Sequence, residues 1–157
     1  MRSLGWQFEE TLRGTYHLLA NPTDERPIQL AVVVRALGLR AFTLHKTAIV
    51  TGTIDLQGFA DQRPVSGTLA FRHLQERRIP YELHFQGNDT LPYIFRGQRD
   101  LRLIALADAL TALPGSIYSQ DDDEIGRATL RFDWRGELAK VFRSFRILLK
   151  SPHSSGI

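Results

Sequence analysis

The chain reads as mainly β: a single antiparallel barrel, with a short helical crossover and a C-terminal amphipathic helix. Three observations predict this. Residues 47–97 hold four consecutive runs in which apolar and polar residues alternate, the period of strands with one buried and one wet face. The breaks between runs carry turn chemistry, with Gly58 ahead of Asp61-Gln62 and then Gly87-Asn88-Asp89. Gly14, Gly52 and Gly67 each interrupt a strand and each precedes a Thr, the pattern of a sheet that bends repeatedly while keeping β-propensity beside the bend.

Taken in order, residues 6–19 predict a long first strand. Trp6, Phe8, Glu10, Leu12, Gly14, Tyr16 and Leu18 share one face, and Gly14 marks a bend or bulge. Asn21-Pro22-Thr23-Asp24 reads as a turn and Pro27 as the end of its loop. Residues 28–36 return as a second strand whose Val32-Val33-Val34 run suggests cover on both faces. Residues 37–46 lack the strand period and read as a short helix or irregular crossover. The four central strands follow, over residues 47–59, 65–73, 79–86 and 91–97. The fourth, 91–97, carries Leu91, Tyr93 and Phe95 inward and extends through residues 98–103. Residues 104–113 have helical spacing up to Pro114-Gly115, and residues 116–119 form a brief strand. Residues 120–124 form an acidic loop, and 125–134 are the last clear strand. Over residues 137–149, Leu138, Val141, Phe142, Phe145 and Leu149 mark an apolar stripe of helical period, which needs a sheet to dock on.

A chain of 157 residues is one domain, here residues 1–150 with a patternless tail at 151–157, and it buries roughly 70% of its unfolded surface without a covalent staple. Cysteine is absent, which excludes disulfides, a thiolate nucleophile and cysteine metal sites. No signal peptide opens the chain and no stretch approaches the roughly 20 apolar residues of a membrane span, so a cytoplasmic protein is expected. The net charge of +3 is spread over scattered Arg residues rather than gathered in a stripe, and no nucleic-acid partner is expected.

Seven to nine antiparallel strands in one domain curl into a barrel or split into a sandwich; the strand lengths, the internal glycines and the closing helix favour the barrel. A barrel of this size is filled by side chains or holds one small ligand. Parity places Glu10 between Phe8 and Leu12 in an apolar row, and Arg99 in the row of Tyr93, Phe95 and Leu101. Two opposite charges entering one interior should meet, because unpaired burial is costly. Glu10 and Arg99 are therefore expected as an inward ion pair or as the polar anchor of a ligand headgroup. Tyr16, Phe71, Tyr81, Tyr93 and Phe95 are expected to line the same interior. The five histidines lack tight metal-ligand spacing, and Asp121-Asp122-Asp123-Glu124 lacks the glycine and the spaced oxygens of a calcium loop. No metal or cofactor is expected, and no Gly-x-Ser-x-Gly elbow is present.

Phe8-Glu9-Glu10-Thr11-Leu12-Arg13-Gly14, with Gly52-Thr53-Ile54, Gly67-Thr68-Leu69, Pro80-Tyr81-Glu82-Leu83 and Phe95-Arg96-Gly97-Gln98-Arg99, resembles an accessory β-domain. That domain accompanies some bacterial glucose–methanol–choline oxidoreductases of the cholesterol-oxidase type. Leu113-Pro114-Gly115 through Tyr118 and the Phe142 to Arg146 segment fit the same pattern, so the resemblance spans residues 6–148. It implies a lipocalin- or calycin-like barrel with a flavin oxidoreductase as partner, but not flavin binding, since the Gly-x-Gly-x-x-Gly fingerprint is absent. The leading functional expectation is a non-catalytic barrel that binds a small apolar ligand, lipid or sterol-like, or serves as partner of such an oxidoreductase. Two alternatives stay open. One is an enzyme acting on a lipid or steroid, with Glu10 as acid/base and Arg99 as oxyanion partner. The other is a ligand-free interaction module using the Phe42 segment or the last helix.

Overall fold

Each alternating run has one apolar row to hide and two edges of backbone N–H and C=O groups to satisfy, and closing the sheet on itself meets both needs. The computed structural model describes residues 3–36, 47–70, 78–100, 112–131 and 146–150. They form β1 (Ser3–Leu18), β2 (Asn21–Ala36), β3 (Thr47–Leu56), β4 (Ala60–Ala70), β5 (Arg78–Gln86), β6 (Pro92–Asp100), β7 (Ala112–Ser119), β8 (Glu124–Arg131) and β9 (Arg146–Lys150). Strands β1 to β8 follow one another around the wall, each antiparallel to the next. β1 pairs with both β2 and β8, so the barrel is closed.

The predicted parity holds in the described strands, but Leu91, expected inward, is exposed in the turn before β6 because the strand begins only at Pro92. Ile28, Leu30, Val32, Val34 and Ala36 of β2 are buried, as are Ala48, Val50, Ile54 and Leu56 of β3 and Leu83, Phe85, Tyr93 and Phe95 of β5 and β6. They form one core with Leu12, Tyr16, Ile117 and Leu130. Val33, between two buried valines, is half-buried on the outer side. The expected bends are close approaches of the wall to itself. A Cβ at Gly14 would sit 1.8 Å from the Thr129 carbonyl oxygen, and one at Gly67 would sit 1.8 Å from that of Glu82. Neither strand pair could come together around a side chain.

Four expectations need correction. Asn21 to Asp24 is not the turn: the chain reverses at Leu19-Ala20, and β2 begins at Asn21. Most residues of its first seven positions are exposed, so composition mimics a loop, yet backbone pairing with β1 (Tyr16 opposite Arg26, Leu18 opposite Asn21) holds them as strand. Strand β4 starts at Ala60, earlier than residue 65, because Arg63 and Pro64 pair with Ile54 and Thr53. Ala112 and Leu113, assigned by spacing to a helix, open β7 opposite Arg131 and Leu130. The C-terminal residues Arg146 to Leu149 are strand, not helix: β9 pairs with Ser3–Gln7 of β1, on the edge that β8 pairs only from Arg13 onward. A strand there satisfies backbone groups that a docked helix would leave open. The crossover at 37–46, the remainder of both predicted helices, and the tail lie outside the described residues.

The two rims differ. The carboxyl ends of β2, β4, β6 and β8 share one rim. The other is closed by tight turns that are tied together. The Asn88 amide donates to Asp61 (2.7 Å), the Asp61 N–H donates back to the Asn88 side chain (3.0 Å), and the Asn88 N–H reaches the Phe59 carbonyl (2.8 Å). Gly58, at φ 82°, allows its N–H to point at the Asp61 carboxylate (3.0 Å).

Candidate functional site

Of the residues predicted to line the interior, the structure separates two groups. Tyr16 and Tyr93 belong to the closed rim. The buried Tyr16 hydroxyl donates to the Gln57 carbonyl, and the Tyr93 hydroxyl donates to the Asp89 carboxylate. Phe59 meets Tyr93 edge-on at 4.8 Å between centroids, and Phe85 stacks on it at 5.9 Å. Burial raises the Tyr16 hydroxyl above the usual phenol range. Burial and the Asp89 carboxylate push Tyr93 up to about 12, while the same hydrogen bond holds Asp89 below the ordinary carboxylate value. These tyrosines are neutral parts of a filled floor.

Glu10 and Tyr81 lie in the other half. Glu10 is 7% exposed, the one charged residue buried among the described residues. It borders a cavity of about 20 Å³ with Leu12, Leu30, Val32, Val34, Val50, Leu69, Tyr81, Leu83 and Leu113. That space holds about one water molecule, far below the roughly 300–1,000 Å³ of a drug-sized pocket. Tyr81 directs its hydroxyl to the Pro114 carbonyl (3.4 Å) and packs against the fully buried Phe95 at 5.6 Å. Above this level Trp6 and Phe8 stack at 5.7 Å, partly buried against the core.

Arg99 lies in β6 opposite Ile79. Its side chain, and with it the expected pair with Glu10, falls outside the described residues, as does Phe71. No group of three or more potential metal ligands occurs among the described residues. Their large exposed apolar residues, Leu19, Ile49 and Leu91, lie in three separate parts of the fold: the β1–β2 turn, the outer face of β3 and the β5–β6 turn.

Sequence reasoning missed a row on the outer wall. Register sets Glu82 of β5 opposite Arg96 of β6, Arg96 opposite Ser116 of β7, Ser116 opposite Arg127 of β8, and Arg127 opposite His17 of β1. Each of these residues looks like an ordinary wet-face position in its own strand, so no local signal could have found the row. Comparison of the chain with protein-family models, curated proteins and solved structures finds no match, so the likeness to oxidoreductase-associated domains rests on the sequence motifs alone.

Proposed function

We propose that the protein is a non-catalytic binding barrel that takes the head of a small apolar ligand, lipid or sterol-like, against Glu10. The observation that carries this reading is the one cavity-lining carboxylate set among aliphatic walls at mid-barrel. The tyrosine floor below is filled and pinned by hydrogen bonds, so a ligand would meet the barrel from the Glu10 side. A carboxylate bordering an apolar cavity offers acceptor oxygens to a hydrogen-bond donor that enters there. A hydroxyl head on an apolar body fits that chemistry.

Native mass spectrometry of the gently purified protein, followed by solvent extraction, tests the reading. The expected result is a co-purifying apolar molecule near one equivalent, reduced in a Val50→Leu variant that adds one methylene to the cavity and keeps the wild-type circular dichroism. A ligand-free mass, together with no saturable uptake of cholesterol or a long-chain alcohol, would refute it.

A further inference from the structure

The outer row of Arg96, Ser116, Arg127 and His17 sits in a depression, and the inner face explains why. On the adjacent inward row Tyr81 pairs with Gly97, Gly97 with Gly115, Gly115 with Ala128, and Ala128 with Tyr16. In this one row, three consecutive strands present almost no side chain to the core. The wall moves in until the Gly97 backbone rests on the Tyr81 hydroxyl and the Gly115 backbone on the Phe95 ring, where added Cβ atoms would lie 2.2 and 2.4 Å from those groups. A wall dented inward by small residues is concave outside. The result is a groove of about 540 Å³, within the size range of small-molecule sites, with Gly97 and Gly115 among its lining and larger side chains around them.

The groove lining is cationic, and the carboxylates of Glu82, Asp122 and Glu124, bonded to its arginines, stand outside that lining. Arg96, Arg127 and His17 line the groove with Ser116, Tyr118 and Thr129, and no Asp or Glu is among the lining residues. Neighbouring strands lie about 4.8 Å apart, so the Arg96 and Arg127 backbones stand about 10 Å apart with only a serine between them. Two guanidinium groups at that spacing can both reach an anion of a few ångströms. Arg96 is already fixed for this. Its guanidinium lies 5.1 Å over the Tyr118 ring and donates outward to Asp122 (2.6 Å) and Glu82 (3.1 Å). Arg127 is held through Nε by Glu124 (2.6 Å), which also accepts from the Ser116 hydroxyl (3.2 Å). Among the described residues the terminal nitrogens of Arg127 and the His17 ring have no hydrogen-bond partner.

We infer that this groove is a second binding site, independent of the barrel interior, for a small ligand bearing a phosphate. The anion would bridge Arg96 and Arg127 above Ser116, with His17 closing the β1 side. Arginine suits this role because its planar fork binds phosphate oxygens in pairs while stacking on an aromatic ring. The phosphate could be free in solution or belong to a lipid headgroup, and the experiment separates the two.

The test is amide chemical-shift mapping of the whole chain titrated with inorganic pyrophosphate, and in a parallel arm co-sedimentation with vesicles of phosphatidic acid in phosphatidylcholine. Saturable shifts at Gly97, Gly115, Ser116 and Arg127 are expected. Binding should weaken about tenfold or more in Arg127→Gln and in His17→Gln, and stay unchanged in Arg35→Gln, which lies in β2 opposite Gln7, toward the other rim. Saturation by pyrophosphate assigns a soluble ligand, whereas vesicle binding that requires Arg127 without pyrophosphate saturation assigns a lipid headgroup. No saturable binding in either arm overturns the proposal, as does an equal loss in Arg127→Gln and Arg35→Gln, which would mean only diffuse attraction of anions to a basic protein.

Discussion

The inward dent of β6 to β8 makes a quantitative prediction through Gly115. A Cβ at this position would lie 2.4 and 2.7 Å from two Phe95 ring carbons and 2.9 Å from the Tyr81 hydroxyl. The shortest of these is about 1 Å inside ordinary contact, and Phe95 is fully buried, so its ring can withdraw only against core neighbours. Gly115→Ala should therefore cost about 1–3 kcal/mol, the usual range for overpacking a filled core. Phe95→Leu alone should also destabilise, because it leaves a void beside Gly115. Combined, the new methyl enters the space the ring has left. The double variant should be more stable than the sum of the single losses by about 1 kcal/mol or more, within the coupling found between touching residues. Urea unfolding followed by circular dichroism measures all four proteins, and each kcal/mol corresponds to about 2–4 °C in Tm for a domain of this size. Additivity within about 0.5 kcal/mol would show that Phe95 does not support the wall at Gly115, and the explanation of the outer groove would fall with it.

Three further predictions concern the closed rim and the wall. Asp61 is held below the ordinary carboxylate value first by the Gly58 N–H and then by Asn88, and Asp89 first by the Tyr93 hydroxyl. With folded values depressed, their stabilisation is complete above about pH 4 and is lost as pH falls through the folded values. Asp61→Asn and Asp89→Asn should thus unfold less steeply with acid than the wild type, and identical acid limbs would refute this. Tyr93 behaves in the opposite sense: its value is raised to about 12 by burial and by Asp89. Its stabilisation is complete below about pH 10 and declines as pH rises from there towards 12. Absorbance titration near 295 nm should show tyrosines that ionise late, one fewer in Tyr93→Phe, whereas a normal set in the wild type would contradict the burial. Finally, Gly67→Ala places a methyl on the Glu82 carbonyl rather than on a movable side chain. It should destabilise at least as much as Gly115→Ala, without rescue by Phe95→Leu, as the same urea series would show.

The sequence by itself determined the barrel. Alternation in Val50, Ile54 and Leu56, and again in Leu83, Phe85, Tyr93 and Phe95, marks strands that each bury one row, long strands with internal glycines favour a barrel over a sandwich, and Glu10 stood out because its parity breaks such a row. Turn chemistry located the hairpins at Gly58 and Gly87 because those signals act within a few residues. What failed was decided by partners distant in sequence. Asn21 to Asp24 has a turn's composition but is strand because β1 runs beside it. Arg146 to Leu149 continues a helical stripe but pairs with the first residues of the chain. The outer row is the extreme case: Arg96, Ser116, Arg127 and His17 come from four strands, and only the register of three strand pairs sets them side by side. Periodicity reports which face a residue takes. Which residues of different strands meet is set by closure of the whole barrel, where each register depends on its neighbours, and no local pattern records it.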